Sequence, residues 1–207
     1  LCVPVFGRRI HLKNIPETVF QAYGMKDEKN LSISRTTLNQ FLLDEAEKAG
    51  VKIFFNHAPQ DINFKKTQLV FKDKIEGFEL LFGTDGAGSV LRKKLVKEFP
   101  SQFIDPTEWL PASYKELLLP QNSGLDLKAL HIWPRGSHMM MALANLDGSF
   151  TVTLYLPQTG PISFENVKTR AEAENFFKME FPDAVPLMPN YLDDYLKHEP
   201  GNLGTIR

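Results

Sequence analysis

The chain has 207 residues, which at a typical length of about 150 residues per domain corresponds to one or two domains. Its 24 Lys and Arg residues balance 25 Asp and Glu residues, which excludes the basic surface of a nucleic-acid-binding protein and a polyacidic tail. A hydrophobic content of 43% indicates a folded core, but no apolar run approaches the ~20 residues of a membrane helix. The single cysteine, Cys2, excludes an intrachain disulfide and a cysteine-based zinc site, so we expect a soluble, cytoplasmic protein.

The first fifty residues predict two strands and then a helix. Residues 6–12 and 18–23 are rich in β-formers and flank a turn-prone segment, which indicates an antiparallel pair. Ser34 is a candidate N-cap for a helix whose apolar side chains follow helical spacing, and Gly50 supplies the stop signal.

The next fifty residues predict short strands and a basic helix. The expected strands cover residues 51–55, 61–64, 68–71 and 78–82. A glycine-rich segment, residues 83–89, follows the last of these directly, and Ser89 opens a helix that continues to about Lys97.

Beyond Pro100 the pattern is mainly that of β-structure. Four stretches have strand composition, namely residues 114–119, 129–133, 139–144 and 150–156. An Asp-Gly pair at Asp147 predicts a tight hairpin between the last two. Helices are expected over residues 166–181 and 191–196. The fold class is therefore mixed α/β, with an α/β region over 31–100 and a sheet built from the sequence on both sides of it.

Both ends of the sequence have unusual features. Leu1 is not an initiator methionine, no signal-like segment follows it, and residues 202–207 contain no helix or polar tail that would finish the fold. We expect an internal piece of a longer protein, with a natural chain that has trimmed termini as the alternative.

The glycine-rich segment is the first candidate site. Glycines allow a backbone to approach a ligand, and a helix N-terminus offers free N–H groups to a phosphate. A turn without a ligand explains the same residues equally well, and the segment does not match the G-x-G-x-x-G dinucleotide pattern.

Two segments resemble the FAD-dependent aromatic hydroxylases, the group typified by para-hydroxybenzoate hydroxylase. Residues 84–92 are similar to the D-G motif of that group, and residues 34–39 are similar to its R-x-x-L segment. Within the group, residues 130–140 (Leu-His-Ile-Trp-Pro-Arg, then Met-Met), 149–151 and 181–187 resemble the kynurenine 3-monooxygenase family. The resemblance covers nearly the whole chain.

The resemblance implies a fold and a reaction. Residues 31–100 would form part of a Rossmann-like FAD-binding domain, and residues 1–30 and 101–207 would form a substrate domain with an antiparallel or mixed sheet. The family uses FAD, NADPH and O₂ to hydroxylate L-kynurenine to 3-hydroxykynurenine, in tryptophan degradation and NAD biosynthesis. Its G-x-G-x-x-G and G-D-A-A-H motifs are not in this sequence, so we expect the isolated piece to be inactive. Unpaired sheet edges favour association, with a homodimer as one candidate assembly.

The resemblance also implies roles for individual residues. The residues that match the family's substrate site are Arg8 and Tyr23 at the amino-acid carboxylate, and Leu130, Met139, Met141 and Tyr155 in the aromatic pocket. The residues that match its flavin contacts are Arg35 and Asp85. No protein nucleophile and no metal are expected, because the cofactor carries the chemistry.

From the residues alone, simpler explanations remain. Arg8 fits a solvated strand charge, Tyr23 a half-buried tyrosine, and Met139 with Met141 an ordinary sheet core. Arg35 at a helix start is unfavourable for the helix dipole, so it suits an anionic partner or a nearby acidic residue. His131 is expected to be packed or surface-facing rather than catalytic.

The remaining histidines, His11, His57, His138 and His198, have no metal-ligand spacing. Three other functions stay open: a flavin hydroxylase with another substrate, a ligand-binding piece without activity, and a structural scaffold.

Overall fold

The computed structural model describes residues 1–105 and 107–205. The strands are β1 (Cys2–Val5), β2 (Gly7–Ile10), β3 (Val19–Ala22), β4 (Asn30–Ile33), β5 (Asp61–Asn63), β6 (Gln68–Val70), β7 (Ile75–Gly77), β8 (Glu108–Leu119), β9 (Ala129–Arg135), β10 (His138–Ala144), β11 (Phe150–Pro157) and β12 (Gly201–Thr205). The helices are α1 (Arg35–Lys48), α2 (Val90–Glu98), α3 (Arg170–Glu180) and α4 (Tyr191–Lys197), with a 3₁₀ turn at Val185–Leu187.

The largest sheet has seven strands in the order β12-β8-β11-β10-β9-β2-β3. It combines strands from widely separated parts of the sequence, because β2 and β3 join β8 to β12. The β2–β3 pair is antiparallel, as the sequence predicted, whereas β2 runs parallel to β9 and makes the sheet mixed. A second sheet pairs β1 with β4, and a third has the order β5-β6-β7.

The chain divides into two compact units. The first contains Leu1–Asp44 and Trp109–Gly204, and the second contains Glu45–Glu108. The seven-stranded sheet lies in the first unit, and the β5-β6-β7 sheet with α2 lies in the second. The assignment of residues 31–100 to a cofactor domain and of the remainder to a substrate domain stays a prediction.

Strand alternation gives the seven-stranded sheet a covered face and an open face. Side chains at every second position of β9, β10 and β11 are buried, and their neighbours are half-buried or exposed. The predicted hairpin between β10 and β11 is confirmed: Gly148 has a φ of 85°, and the Ser149 amide donates to the Asp147 carboxylate at 2.9 Å.

Helices α3 and α4 supply the aromatic core of the first unit. A capping box starts α3, in which Thr169 and Glu172 satisfy each other's backbone amides, so the helix begins later than residue 166. Phe177 on α3 is fully buried, with its ring centroid 4.9 Å from that of Tyr191 on α4. Burial of these rings accounts for much of the apolar area that the helices cover.

Two predicted strands are wrong. Residues 51–55 and 78–82 have strand composition, but neither segment is a strand in the structure. A strand needs a hydrogen-bonded neighbour, and the third strand of the small sheet is instead β7, at Ile75–Gly77. Apolar side chains in the two segments are exposed, for example Phe54 and Phe82. In the part of the chain that the structure describes, no helix is both long enough and apolar enough to cross a bilayer.

We expect Phe177→Ala to lower the free energy of unfolding by about 3–5 kcal/mol, because it leaves a cavity among buried rings. Met179 lies on the same helix and is 58% exposed, so Met179→Ala should change stability by less than about 0.5 kcal/mol. Urea unfolding followed by tryptophan fluorescence measures both. Equal losses in the two variants would contradict this description of the core.

Candidate functional site

The candidate site is the open face of the seven-stranded sheet. Residues opposite each other on paired strands point to the same face. Register pairs Arg8 with Leu130, and Met139 with Tyr155. Met141 follows Met139 by two residues on β10, so it shares this face. The structure therefore places five of the six predicted substrate residues on one face of one sheet, and the sixth, Tyr23, contacts Arg8.

Arg8 and Tyr23 lie together at the β2 side of this face. The Arg8 guanidinium carbon is 5.6 Å from the centroid of the Tyr23 ring, within cation–π range. Among described residues, the Arg8 side chain has no ion pair or hydrogen bond. Arg9 differs, because its guanidinium faces Thr18 at 3.2 Å and Asp126 at 3.4 Å. Of these two neighbouring arginines, only Arg8 leaves its donors available.

An aromatic pair that sequence reasoning missed extends the face. Tyr155 is opposite Tyr114 on β8, with ring centroids 6.2 Å apart. Burial, with smaller contributions from Tyr114 and Glu116, raises the pKa of Tyr155, so its hydroxyl stays protonated and can donate. Gly201 has no Cβ where the Tyr114 ring approaches β12. The alternation of the predicted strand 114–119 was the available signal for Tyr114, because it places Tyr114 and Glu116 on one face.

A cleft of about 350 Å³ opens on this face beside the start of α1. Arg35 and Met141 both line it, together with Glu116, Leu143 and Thr153. The Arg35 side chain has no ion pair or hydrogen bond among the described residues. The acidic residues of α1 that could have paired with it, Asp44 and Glu45, do not. Ser34 caps α1 as predicted, its hydroxyl accepting from the Thr37 amide at 3.4 Å. The cleft brings one predicted cofactor residue and one predicted substrate residue together, while Arg8, Leu130, Met139 and Tyr155 lie outside it.

Asp85 lies in the second unit and holds the start of α2. Its Oδ2 accepts from the amides of Val90 at 2.7 Å and Leu91 at 3.4 Å. A hydrogen bond from the Ser89 hydroxyl, helped by these amides, holds the pKa of Asp85 below its ordinary value. Ser89 is the N-cap, as predicted, because its hydroxyl accepts from the Arg92 amide at 2.9 Å. The carboxylate thus has a structural role whether or not a ligand approaches.

Two of the histidines that the sequence treated as isolated lie in contact with each other. His131 is fully buried, as a packed residue should be. It is not isolated, however, because its Nδ1 lies 2.9 Å from Nε2 of His11, which is 120 residues away in sequence. Sequence reasoning treated these histidines as scattered, since nothing local predicts the parallel pairing of β2 with β9. Among the described residues, no group of three or more metal-ligating side chains is present.

Solved structures show the class of fold. The chain is similar to a tetrameric form of 2-methyl-3-hydroxypyridine-5-carboxylic acid oxygenase, with a TM-score of 0.66 and 17% identity over 97% of this chain and 52% of that one. It is also similar to Klebsiella pneumoniae HpxO complexed with FAD and uric acid, with a TM-score of 0.64 and 14% identity over 98% of this chain and 53% of that one. The fold is that of the FAD-dependent hydroxylases, which confirms the predicted fold class.

Relatives found by sequence indicate a narrower family than the fold does. The chain is 40% identical to kynurenine 3-monooxygenase of Dictyostelium discoideum over 100% of this chain and 46% of that protein. It is 37% identical to kynurenine 3-monooxygenase of Flavobacterium johnsoniae over 100% of this chain and 48% of that protein. No family model matches the chain. The chain is homologous to the kynurenine 3-monooxygenases, as its motifs indicated, and spans about half the length of the relatives it matches.

We expect the stability of the first unit to fall in acid. Burial and the neighbouring His131 lower the pKa of His11 from 6.5 to about 4, and burial also lowers the pKa of His131 and of His138. The unfolded chain therefore takes up protons before the folded chain does. The stabilisation is complete above about pH 6.5 and is lost as pH falls from 6.5 towards 4, on the order of 2 kcal/mol at pH 5 for His11 alone.

Urea unfolding at pH 7.5 and pH 5 measures this loss. His11→Gln should reduce the difference between the two pH values, whereas His57→Gln, at an exposed histidine, should not. A pH dependence that is unchanged in His11→Gln would contradict the assignment.

Proposed function

We propose that the protein containing this chain is a flavin-dependent monooxygenase that hydroxylates L-kynurenine to 3-hydroxykynurenine, with NADPH as the electron donor. The observation that carries the proposal is the arrangement of the open sheet face. On β2 it has the Arg8 guanidinium, which has no hydrogen-bond or ion-pair partner among the described residues and lies beside Tyr23 at the end of β3. On β10 and β11 it has sulfur-containing and aromatic side chains. That order of polar and apolar groups matches an amino acid with an aromatic ring. The names of the relatives support the same substrate.

Arg8 suits the carboxylate of the substrate. A guanidinium has parallel N–H donors that match two carboxylate oxygens, and Arg8 has no competing partner in the described structure. The Tyr23 ring is within cation–π range of the guanidinium, at 5.6 Å, and would help to orient it towards the substrate. The Tyr23 hydroxyl would provide a further donor to the same carboxylate.

Leu130, Met139, Met141 and Tyr155 would hold the aromatic ring of the substrate. Methionine side chains are polarizable and adapt to the face or the edge of a ring. Met139 is opposite Tyr155, so a ring lying across β10 and β11 would contact both. Side chains of this kind exclude water, and that exclusion protects reactive intermediates from side reactions with solvent.

Arg35 is the residue that best fits the cofactor. It lines the cleft on the open face beside Ser34 and Thr36, which would supply hydroxyl donors, and its charge has no partner among described residues. This combination suits a phosphate or another anionic part of FAD. FAD, when bound, supplies the oxygen-transfer chemistry, and the residues of this chain bind, orient and shield the substrate. The Asp85 carboxylate already accepts hydrogen bonds from amides at the start of α2. It would contact the cofactor only through its remaining lone pairs.

The first experiment follows NADPH oxidation by the full reading frame that contains this chain, with and without L-kynurenine. We expect a kynurenine-dependent rate and a product heavier than kynurenine by one oxygen atom. Bound flavin without a response to kynurenine would retain the hydroxylase class and reject the substrate. Kynurenine binding without flavin would favour a ligand-binding protein instead.

Arg8→Lys should weaken kynurenine binding roughly tenfold to a hundredfold, because an ammonium cannot reproduce two parallel hydrogen bonds to a carboxylate. Arg9→Lys is the matched control and should leave the affinity near that of the parent, since Arg9 faces Thr18 and Asp126. Titration of flavin absorbance with kynurenine gives both affinities. Equal affinities in the parent and Arg8→Lys would reject the carboxylate assignment.

A further inference from the structure

A partly buried polar network lies on the covered face of the sheet, directly behind the candidate site. His11 follows β2, and its ring stacks on Trp133 of β9 with centroids 4.2 Å apart and planes 14° apart. The Trp133 indole N–H donates to Asp183 at 2.7 Å. Arg135 donates to the backbone carbonyl of His11 at 2.9 Å. The end of β2 is therefore held by both the side chain and the backbone of one histidine.

The hydrogen-bond pattern fixes the tautomers of the two histidines. Nε2 of His131 lies 3.0 Å from the carbonyl oxygen of Asp126, which can only accept, so this nitrogen carries the proton. In a neutral ring, Nδ1 of His131 is then an acceptor. His11 must donate from Nε2 across the 2.9 Å separation, which leaves its Nδ1 unprotonated and 4.0 Å from Asp183.

This donor–acceptor pair joins β2 to β9 across 120 residues of sequence. Register on β2 is critical because a slip of one residue moves every side chain to the opposite face. Such a slip would remove Arg8 from the open face and present Arg9 there. The β2–β9 ladder has four residue pairs and is extended by backbone hydrogen bonds from Phe6 to Lys128 and from His11 to Ile132. The histidine pair adds a side-chain contact that forms only in this register.

We propose that His11 and His131 are positioning residues that hold Arg8 in register opposite Leu130 and so set the substrate carboxylate site. This inference rests on the proposed function for the role of Arg8, but the register claim itself does not. Neither histidine contacts the open face, so both act through β2. A hydrophobic residue at position 11 would retain the stacking on Trp133 but lose the directional contact that defines register.

The charged groups around the pair act on protons that either histidine takes up. Arg9 and Arg135 oppose a proton on His11, and Asp183 favours one; Arg9 opposes a proton on His131, and Asp126 favours one. A proton added to His11 would go to Nδ1, which faces Asp183, and the bond to His131 would survive. A proton added to Nδ1 of His131 also leaves the bond intact, because a neutral His11 can carry its own proton on Nδ1, towards Asp183, and accept through Nε2. Only protonation of both rings sets two donors against each other and breaks the contact.

The test compares His11→Phe with His11→Gln in the full reading frame. Phenylalanine keeps the ring stack and removes the donor, whereas the amide of glutamine reaches the position of Nε2 and keeps the donor. We expect His11→Phe to raise KM for kynurenine about tenfold with a smaller change in kcat, and His11→Gln to restore most of the loss. His57→Phe, at an exposed histidine in the second unit, should leave both constants unchanged.

The link to Arg8 is tested by a double-mutant cycle. If His11 acts through Arg8, His11→Phe should cause no further loss of affinity in an Arg8→Ala background. An equal loss of affinity with and without Arg8 would overturn the positioning role and leave only a packing role.

A measurement without substrate separates this inference from the proposed function. Hydrogen exchange of the Gly7–Ile10 amides should accelerate about tenfold in His11→Phe and little in His11→Gln, with the β10–β11 amides unchanged. That result supports the register claim even if kynurenine is not the substrate. Exchange on β2 that is the same in His11→Phe and the parent would overturn it.

Discussion

The parallel pairing of β2 with β9 is the constraint on which the candidate site depends. It joins residues 7–10 to residues 129–132, so the polypeptide between them must leave the sheet and return. The entropic cost of closing such a connection rises only slowly with its length, and β2 is paired on both sides, with β9 and with β3. Contacts of His11 with its stacking partner Trp133, at the end of β2, further stabilise the pairing. Arg8 is opposite Leu130 only because this pairing exists.

The two faces of the sheet differ in their chemistry, because one is covered by helices and the other is open. On the covered face, α3 and α4 bury aromatic side chains and a hydrogen-bonded polar network, and buried polar groups with satisfied partners favour one arrangement over its alternatives. On the open face, the same sheet presents thioethers, tyrosine rings and a guanidinium that has no hydrogen-bond or ion-pair partner among the described residues. Because alternate residues of each strand serve the two faces, a rigid core behind the sheet fixes the geometry in front of it.

The two predicted cofactor residues, Arg35 and Asp85, both lie at the start of a helix but differ in charge and in their protein partners. Arg35 begins a helix in the first unit, where its positive charge adds to the positive end of the helix dipole and has no partner among described residues. Asp85, in the second unit, places a negative charge at a helix start and is stabilised there by backbone amides and Ser89. The start of α2 accounts for Asp85, whereas Arg35 is exposed and has no protein partner among the described residues.

The sequence alone determined most of the local elements and the similarity to known hydroxylases. Ser34, Ser89 and the Asp147 turn act through neighbouring residues, so capping and hairpin chemistry predicted them correctly, and motifs spread along the chain indicated the flavin hydroxylases. Residues 51–55 and 78–82 were predicted incorrectly because strand composition does not supply a strand with a partner. Only the tertiary structure decided that His11 meets His131 and that Tyr114 meets Tyr155. Those contacts join residues far apart in sequence, and they follow from strand order and register rather than from local preference.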